Sequence, residues 1–202
     1  MADNIKTAVT LFLITLISGF LLGGVYAITK EPIAAANQAA LYAAYETLVP
    51  GGAEYEELPE AAEKANADLA DGRFGNVTVN NVVRPVDAAG EPLGYIVDVT
   101  SHDGYGGDIE ITVGYTGEEG ALSCTGISFL TLAETAGLGM NAQEPEFMGQ
   151  YTGKGTDPLT VTKSGSAGEA EINAMSGATI TSDAVTNAVN AAGYAVTAGL
   201  EG

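Results

Sequence analysis

Hydrophobic and polar positions fall into three regimes along this chain. From Thr7 to Ala27 no charged residue interrupts a run dominated by Leu, Ile, Val, Phe, Gly and Ala, which as a helix is long enough to cross about 30 Å of hydrocarbon. It is read as a single retained membrane span, since the apolar region of a cleaved signal peptide runs to only about 7–15 residues. After Lys30-Glu31-Pro32, Ala, Leu and Tyr recur at helical spacing from Ile33 to Leu48 until Pro50-Gly51-Gly52, which predicts a second helix. Residues 53–76 are rich in Glu, Ala and Asp and predict either an acidic helix with loops or a mobile connector.

From Val77 the period changes to two. Strands are predicted at 77–84, 94–101, 108–115 and 121–132, separated by Gly- and Asp-rich turns, which is the pattern of an antiparallel meander. A short strand at 159–163 and a C-terminal helix complete the sheet. In that helix, running from Asp183 to Leu200, Ala184, Val185, Ala188, Val189, Ala192, Ala195 and Val196 lie at three-and-four spacing. The expected fold class is α+β, an antiparallel sheet with packed helices behind one N-terminal transmembrane helix. The expected divisions are 1–30 for the anchor, 31–76 for the helical and acidic connector, and 77–202 for the folded domain.

Charge and cysteine usage remove several function classes. With 7 Lys plus Arg against 26 Asp plus Glu, the net charge of -19 argues against nucleic-acid binding, which needs a basic surface. The single Cys124 cannot form an internal disulfide, and its strand-like setting predicts a buried small hydrophobe. His102 is equally solitary, and no His or Cys spacing suggests a zinc, haem or iron–sulfur site. No metal and no catalytic side chain is expected, so any redox chemistry has to use an organic cofactor.

Candidate chemistry concentrates in three segments. Met175-Ser176-Gly177-Ala178-Thr179-Ile180-Thr181-Ser182 is a small-residue turn that ends in hydroxyls at the start of the last helix, where free N–H groups favour anions. Thr179 offers an oxygen that could be esterified. Gly104-Tyr105-Gly106-Gly107 precedes the third strand, and Glu134-Thr135-Ala136-Gly137-Leu138-Gly139 follows the fourth. Each has an ordinary alternative, as hairpin connections for the two loops and as a helix-capping hydroxyl for Thr179. Phe147, Tyr151 and Lys154 are weaker candidates, expected more as core or surface residues than as site residues.

The string Ser176-Gly177-Ala178-Thr179 resembles the signature of the FMN-binding domain family shared by the G subunit of Rnf complexes and the C subunit of the sodium-pumping quinone reductase. The two glycine-rich segments fit that family in the expected order. Two positions depart from its pattern: Ala136 stands where Pro is usual, and Asn173 where Asp is usual, so an acceptor oxygen is kept and a charge is lost. The resemblance implies a covalent FMN on Thr179 through a phosphoester, with Ser176, Gly177 and Ala178 as the turn read by a flavin transferase. It implies Tyr105, Gly106, Gly107, Glu134, Thr135, Gly137, Leu138 and Gly139 as flavin-site loops. It further implies a single-pass protein of the cell membrane, N-terminus cytoplasmic and flavin domain outside, working with the other membrane subunits of an ion-translocating ferredoxin:NAD oxidoreductase. A stand-alone extracytoplasmic flavoprotein, or an anchored binding domain without redox chemistry, are the alternatives.

Overall fold

The structure is a computed structural model that describes residues 2–118 and 120–200. These fall into two compact units, Met1–Leu41 and Tyr42–Gly202. The elements in chain order are α1 (Ala2–Leu48), β1 (Glu54–Glu57), α2 (Pro59–Leu69), β2 (Val77–Val86), β3 (Tyr95–Ser101), β4 (Ile109–Thr116) and β5 (Ser123–Leu132). A short 3-10 turn (Gly139–Gln143), α3 (Pro145–Met148), β6 (Thr160–Thr162), β7 (Glu171–Asn173) and α4 (Thr179–Ala195) follow.

Where the sequence predicts two helices broken near Pro32, the chain forms one, with Pro32 inside α1. Proline removes one N–H donor and crowds the preceding turn, but Ala27–Glu31 and Ile33–Ala36 on either side favour the helix and carry it through. The first unit presents its Leu, Ile, Val and Phe side chains outward, and among the described residues α1 alone is long and apolar enough to cross a membrane. Residues 54–69, read as an acidic helix or connector, become β1 and α2 and pack into the second unit.

The meander appears as a five-stranded antiparallel sheet in the order β1-β2-β3-β4-β5. The strand predicted at 159–163 does not join it. It forms β6, which pairs in parallel with β7 as a separate two-stranded sheet, because Asn190 of α4 takes both backbone groups of Leu159 (2.8 and 2.9 Å) and holds that segment over the helix. The seven apolar positions picked out by periodicity, six in α4 and Val196 directly after it, are all buried, packed with Val97, Val99, Ile111 and Val113 of the sheet. Alanines let the helix lie close to the strands, so the packing is dense without large side chains.

A second buried surface lies where the last turns of α1 meet the sheet. Tyr45, Leu48 and Val49 are buried, and Leu48 sits over Gly114 and Gly126, which face each other across β4 and β5. A Cβ on Gly114 would fall 2.7 Å from Leu48 Cβ and 2.5 Å from Thr125 Oγ1, so this floor has room only for glycine. Tyr42, Tyr45 and Tyr55 cluster with ring centroids 5.3–5.9 Å apart. Beneath them Tyr45 donates its hydroxyl to Asp98, which also accepts from Thr112 at 2.7 Å. Cys124 is buried as expected, and burial pushes its thiol up to about 11.

Burial outweighs the hydrogen bonds on Asp98 and lifts its carboxyl above the usual carboxylate range. The folded state therefore favours the protonated form: this contribution to stability is full below the ordinary pKa and is lost as pH rises through the raised one. Asp98→Asn, neutral throughout, is expected to gain stability relative to the wild type across the window that opens at about pH 4 and runs up through the raised Asp98 value, in denaturant titrations of the full chain in detergent. A stability difference that stays flat over that window would mean that Asp98 ionises normally in the folded protein.

Candidate functional site

Two clefts flank the turn that leads into α4. The first, of about 480 Å³, is lined by Tyr105, Glu134, Thr135, Leu138 and Gly139 together with Gly177, Ala178, Thr179, Ile180 and Thr181. Its size falls within the range of about 300–1,000 Å³ common to small-molecule sites. The three segments singled out in the sequence thus meet in one place, from positions as far apart as 105 and 181. Their meeting follows from the register of the sheet. Ile109 pairs with Leu132, so the loop entering β4 and the loop leaving β5 emerge side by side.

Close contacts fix these loops to each other. Tyr105 donates its backbone N–H to Glu134 Oε1 at 2.8 Å, and a Cβ on Gly106 would collide with the Ala133 carbonyl oxygen. The Thr135 carbonyl accepts from the N–H groups of Leu138 and Met140, which closes the 135–140 turn. Gly139 is buried where a Cβ would lie 2.7 Å from Glu134 Oε2 and 2.8 Å from Thr181 Oγ1, so Glu134, Gly139 and the first turn of α4 share one small volume. Glu134 Oε2 is buried yet has no hydrogen-bond partner among the described residues. An unpaired buried acceptor is costly, and one lining a cleft suits a ligand that brings a donor hydrogen.

The turn itself is set by Gly177 at φ +75°, a left-handed conformation that side chains disfavour. Ala178 donates to the Met175 carbonyl at 3.1 Å, and α4 begins at Thr179, four residues before the start that periodicity suggests. Thr179, Thr181 and Ser182, which precede the predicted helix, are therefore inside its first turn, while Ser176 stays outside it. There the unpaired N–H groups and the positive end of the helix dipole favour an anion. Asp183, one turn in, is pushed above the usual carboxylate range by burial, with the charge of Lys163 acting in opposition.

Tyr105, Leu138 and Ile180 are 72%, 43% and 53% exposed, and among the described residues beyond position 48 they are the large hydrophobics left open to solvent. All three line this cleft. The combination of an apolar rim, an orphaned carboxylate oxygen and a helix N-terminus fits a ligand with a flat ring, hydrogen-bond donors and a phosphate.

Several expected residues lie elsewhere. Ser176 lines the second cleft, of about 500 Å³, with Asn141, Glu144, Glu146, Phe147, Gln150, Asn173, Ala174 and Met175. Gly106, Gly107 and Gly137 shape the backbone without lining the first cleft. Tyr151 is fully buried with its hydroxyl 2.9 Å from Thr186 Oγ1, a core role. Lys154 donates its ammonium to the carbonyls of Gly168 and Glu169, a structural role away from the first cleft. Ile180 and Thr181 belong to the candidate segment that ends in hydroxyls but are not among the individual residues expected at the site, and they line the cleft. They follow Thr179 directly, and a helix starting at Thr179 brings them in.

Residues 104–193 match the FMN-binding domain family, and residues 3–48 match the RnfG N-terminal region. The chain is 34% identical to the G subunit of the proton-translocating ferredoxin:NAD(+) oxidoreductase complex of Clostridium ljungdahlii, over 90% of this chain and 85% of that one. It is 29% identical to the G subunit of the Na(+)-translocating ferredoxin:NAD(+) oxidoreductase complex of Acetobacterium woodii, over 92% and 87%. Among solved structures, the C subunit of the Na(+)-translocating NADH-quinone reductase of Parabacteroides distasonis has a similar fold, with a TM-score of 0.50, 21% identity and coverage of 71% of this chain and 76% of that one.

Gly139→Ala is expected to push Glu134 out of its place and release the Tyr105 amide, lowering stability by about 1–3 kcal/mol as overpacked sites do. Hydrogen exchange at the Tyr105 N–H should rise above the wild-type rate. An unchanged rate would mean that Glu134 does not hold the loop.

Proposed function

Because the chain belongs to the family of G subunits of Rnf-type ion-translocating ferredoxin:NAD oxidoreductases, it is an FMN-binding electron-transfer component of such a membrane complex, and we propose that Thr179 carries the flavin through a phosphoester. The observation that carries this reading is the sorting of the four hydroxyls around the turn. Ser176 opens into the other cleft, Thr181 is 1% exposed, and Ser182 is fully buried with its hydroxyl engaged. Thr179 is half-buried, lines the flavin-sized cleft and receives no hydrogen bond from the described residues.

Attachment uses a flavin phosphate activated as a pyrophosphate. The Thr179 hydroxyl gives up its proton to a base of a flavin transferase, an Oγ–P bond forms, and the pyrophosphate P–O bond breaks with a nucleoside monophosphate as the leaving group. The N–H groups of the first α4 turn would hold the negative charge of the phosphodiester. Glu134 Oε2 would accept a donor hydrogen of the cofactor, and Tyr105, Leu138 and Ile180 would offer apolar surface to its ring. FMN, once held, supplies the redox chemistry of the protein. The ester keeps the cofactor at high local concentration whatever its intrinsic affinity.

Intact-mass measurement on protein made with a flavin transferase tests the site directly. The wild type is expected to gain one FMN less water, Thr179→Ala to gain nothing, and Thr181→Ala to keep the gain. An unmodified wild type, or FMN on Thr179→Ala, defeats the assignment.

We also propose that the N-terminus is cytoplasmic and the flavin domain lies outside, with α1 as the anchor. Supporting this orientation are Lys6 ahead of the apolar run, the scarcity of basic residues after it, and the likeness to the family. Protease added to spheroplasts is expected to remove the domain and leave an embedded stub. Digestion only in inverted vesicles would reverse the topology.

A further inference from the structure

We propose that Ser182 is a positioning residue for modification of Thr179, acting through a hydroxyl that ties the two ends of the preceding turn together. The inference rests on the attachment reading above and goes beyond it by naming what holds the acceptor threonine in place. Ser182 Oγ accepts the Met175 N–H at 3.0 Å and donates to the Ala178 carbonyl at 2.9 Å. The side chain is 0% exposed.

Half of this arrangement is ordinary. A serine inside a helix commonly donates to the carbonyl four residues back, and here Ala178 O already accepts the Ser182 N–H at 3.0 Å. The helix gains little from a second donor to the same oxygen. The bond from Met175 is different, because it reaches seven residues back across the turn and satisfies a backbone N–H that lies outside the helix. Met175 and Ala178 are the first and last residues of the turn, and Ala178 N–H also donates to Met175 O at 3.1 Å. One hydroxyl thus bridges both ends of a four-residue loop whose third member, Gly177, sits at φ +75°.

Thr179 follows this loop directly. Because its own hydroxyl takes no hydrogen bond from the described residues, its position is set by the backbone on either side. The α4 backbone fixes one side and the Ser182 bridge fixes the other. Without the bridge, the Met175 end of the turn loses its tie to the buried helix and samples other conformations, while Ala178 stays bonded to the Ser182 N–H. In those the Thr179 oxygen is not presented for the step in which its O–H bond is exchanged for an O–P bond, with the proton passing to the transferase and the nucleoside monophosphate leaving.

The test is the rate of FMN attachment to the full chain in detergent, at saturating flavin transferase and flavin dinucleotide, read as covalent flavin fluorescence of the denatured band and as intact mass. Ser182→Ala is expected to slow attachment about tenfold, which corresponds to about 1.4 kcal/mol in the barrier. Ser182→Cys keeps the volume with a weak hydrogen-bonding group and is expected to be slow as well. Ser182→Thr restores the hydroxyl and should recover most of the rate.

Thr197→Ala is the control for general loss of helix stability. Its hydroxyl, two residues past the end of α4, bonds the carbonyls of Gly193 and Tyr194 at 2.9 and 3.1 Å and so supports the helix at the end far from the turn, and attachment should stay at the wild-type rate. Ser182→Ala and Ser182→Cys reacting as fast as the wild type, or faster, overturn the inference while leaving attachment at Thr179 intact. Slowing of Thr197→Ala to the same degree also overturns it, since general destabilisation would then explain the effect. A wild-type chain that takes up no flavin defeats the attachment reading itself.

Discussion

A row of buried polar side chains on α4 is the constraint on which the site depends. Ser182, Thr186 and Asn190 follow one another at four-residue spacing and are all buried. Each holds a different piece of the segment that wraps over the helix. Ser182 ties the turn Met175–Ala178, Thr186 pairs with the Tyr151 hydroxyl, and Asn190 takes both backbone groups of Leu159. An unpaired buried polar group is costly, so each of these side chains is satisfied only if its own stretch of chain lies where it does. The helix is thereby buried on two sides, by apolar packing on the sheet and by hydrogen bonding under the wrapping segment. Its N-terminus, and Thr179 with it, is fixed relative to both.

The same substitution of side-chain amides for ladder partners recurs elsewhere. Asn66 of α2 bonds both backbone groups of Val79 at 2.8 Å, where the β2–β3 register shifts between Val79 and Asn81. Gln150 takes both groups of Asn173 at 2.7 and 3.3 Å. An amide offers one donor and one acceptor at about the spacing of a peptide group, so it can end or bridge a strand where no second strand is available. Through Gln150 the end of β7 is held beside α3, and the chain then enters the turn that delivers Thr179.

Much of this was legible in the residues, and the missing parts share a cause. The strands of the meander were legible because one face of each is apolar, and the apolar face of α4 because seven residues keep helical period and all are buried. From the order of strands alone, the loop before β4 and the loop after β5 must be neighbours, so the convergence of Tyr105 with Glu134 and Leu138 could be anticipated. Hydrophobic period says nothing about a helix face that is polar and buried. It leaves Thr186 and Asn190 without a role and shows Ser182 only as one of the hydroxyls that end the turn, until the wrapping segment is placed over them. The fates of Lys154 and of the 159–163 strand were hidden for the same reason, since each depends on a side-chain-to-backbone bond across more than ten residues. Pro32 misled in the other direction: a local breaker was outweighed by the helix formers around it.

An electron-carrying site faces two demands that oppose each other. Exchange of electrons with a partner favours a cofactor near the surface, whereas retention by noncovalent contacts favours a deep, closed pocket. The cleft here leans toward exposure: its apolar rim of Tyr105, Leu138 and Ile180 is open to solvent, and its walls come from two loops and the start of α4 rather than from the interior of the sheet. Burial of a ligand against such a rim is partial, and so is the hydrophobic stabilisation it brings. The covalent tether proposed at Thr179 would remove the conflict, because it supplies retention without asking the walls to enclose the ring. On that view the walls serve orientation: Glu134 offers a fixed acceptor, Gly139 leaves the space that acceptor needs, and the buried bridge of Ser182 keeps the tether point at the mouth of the cleft.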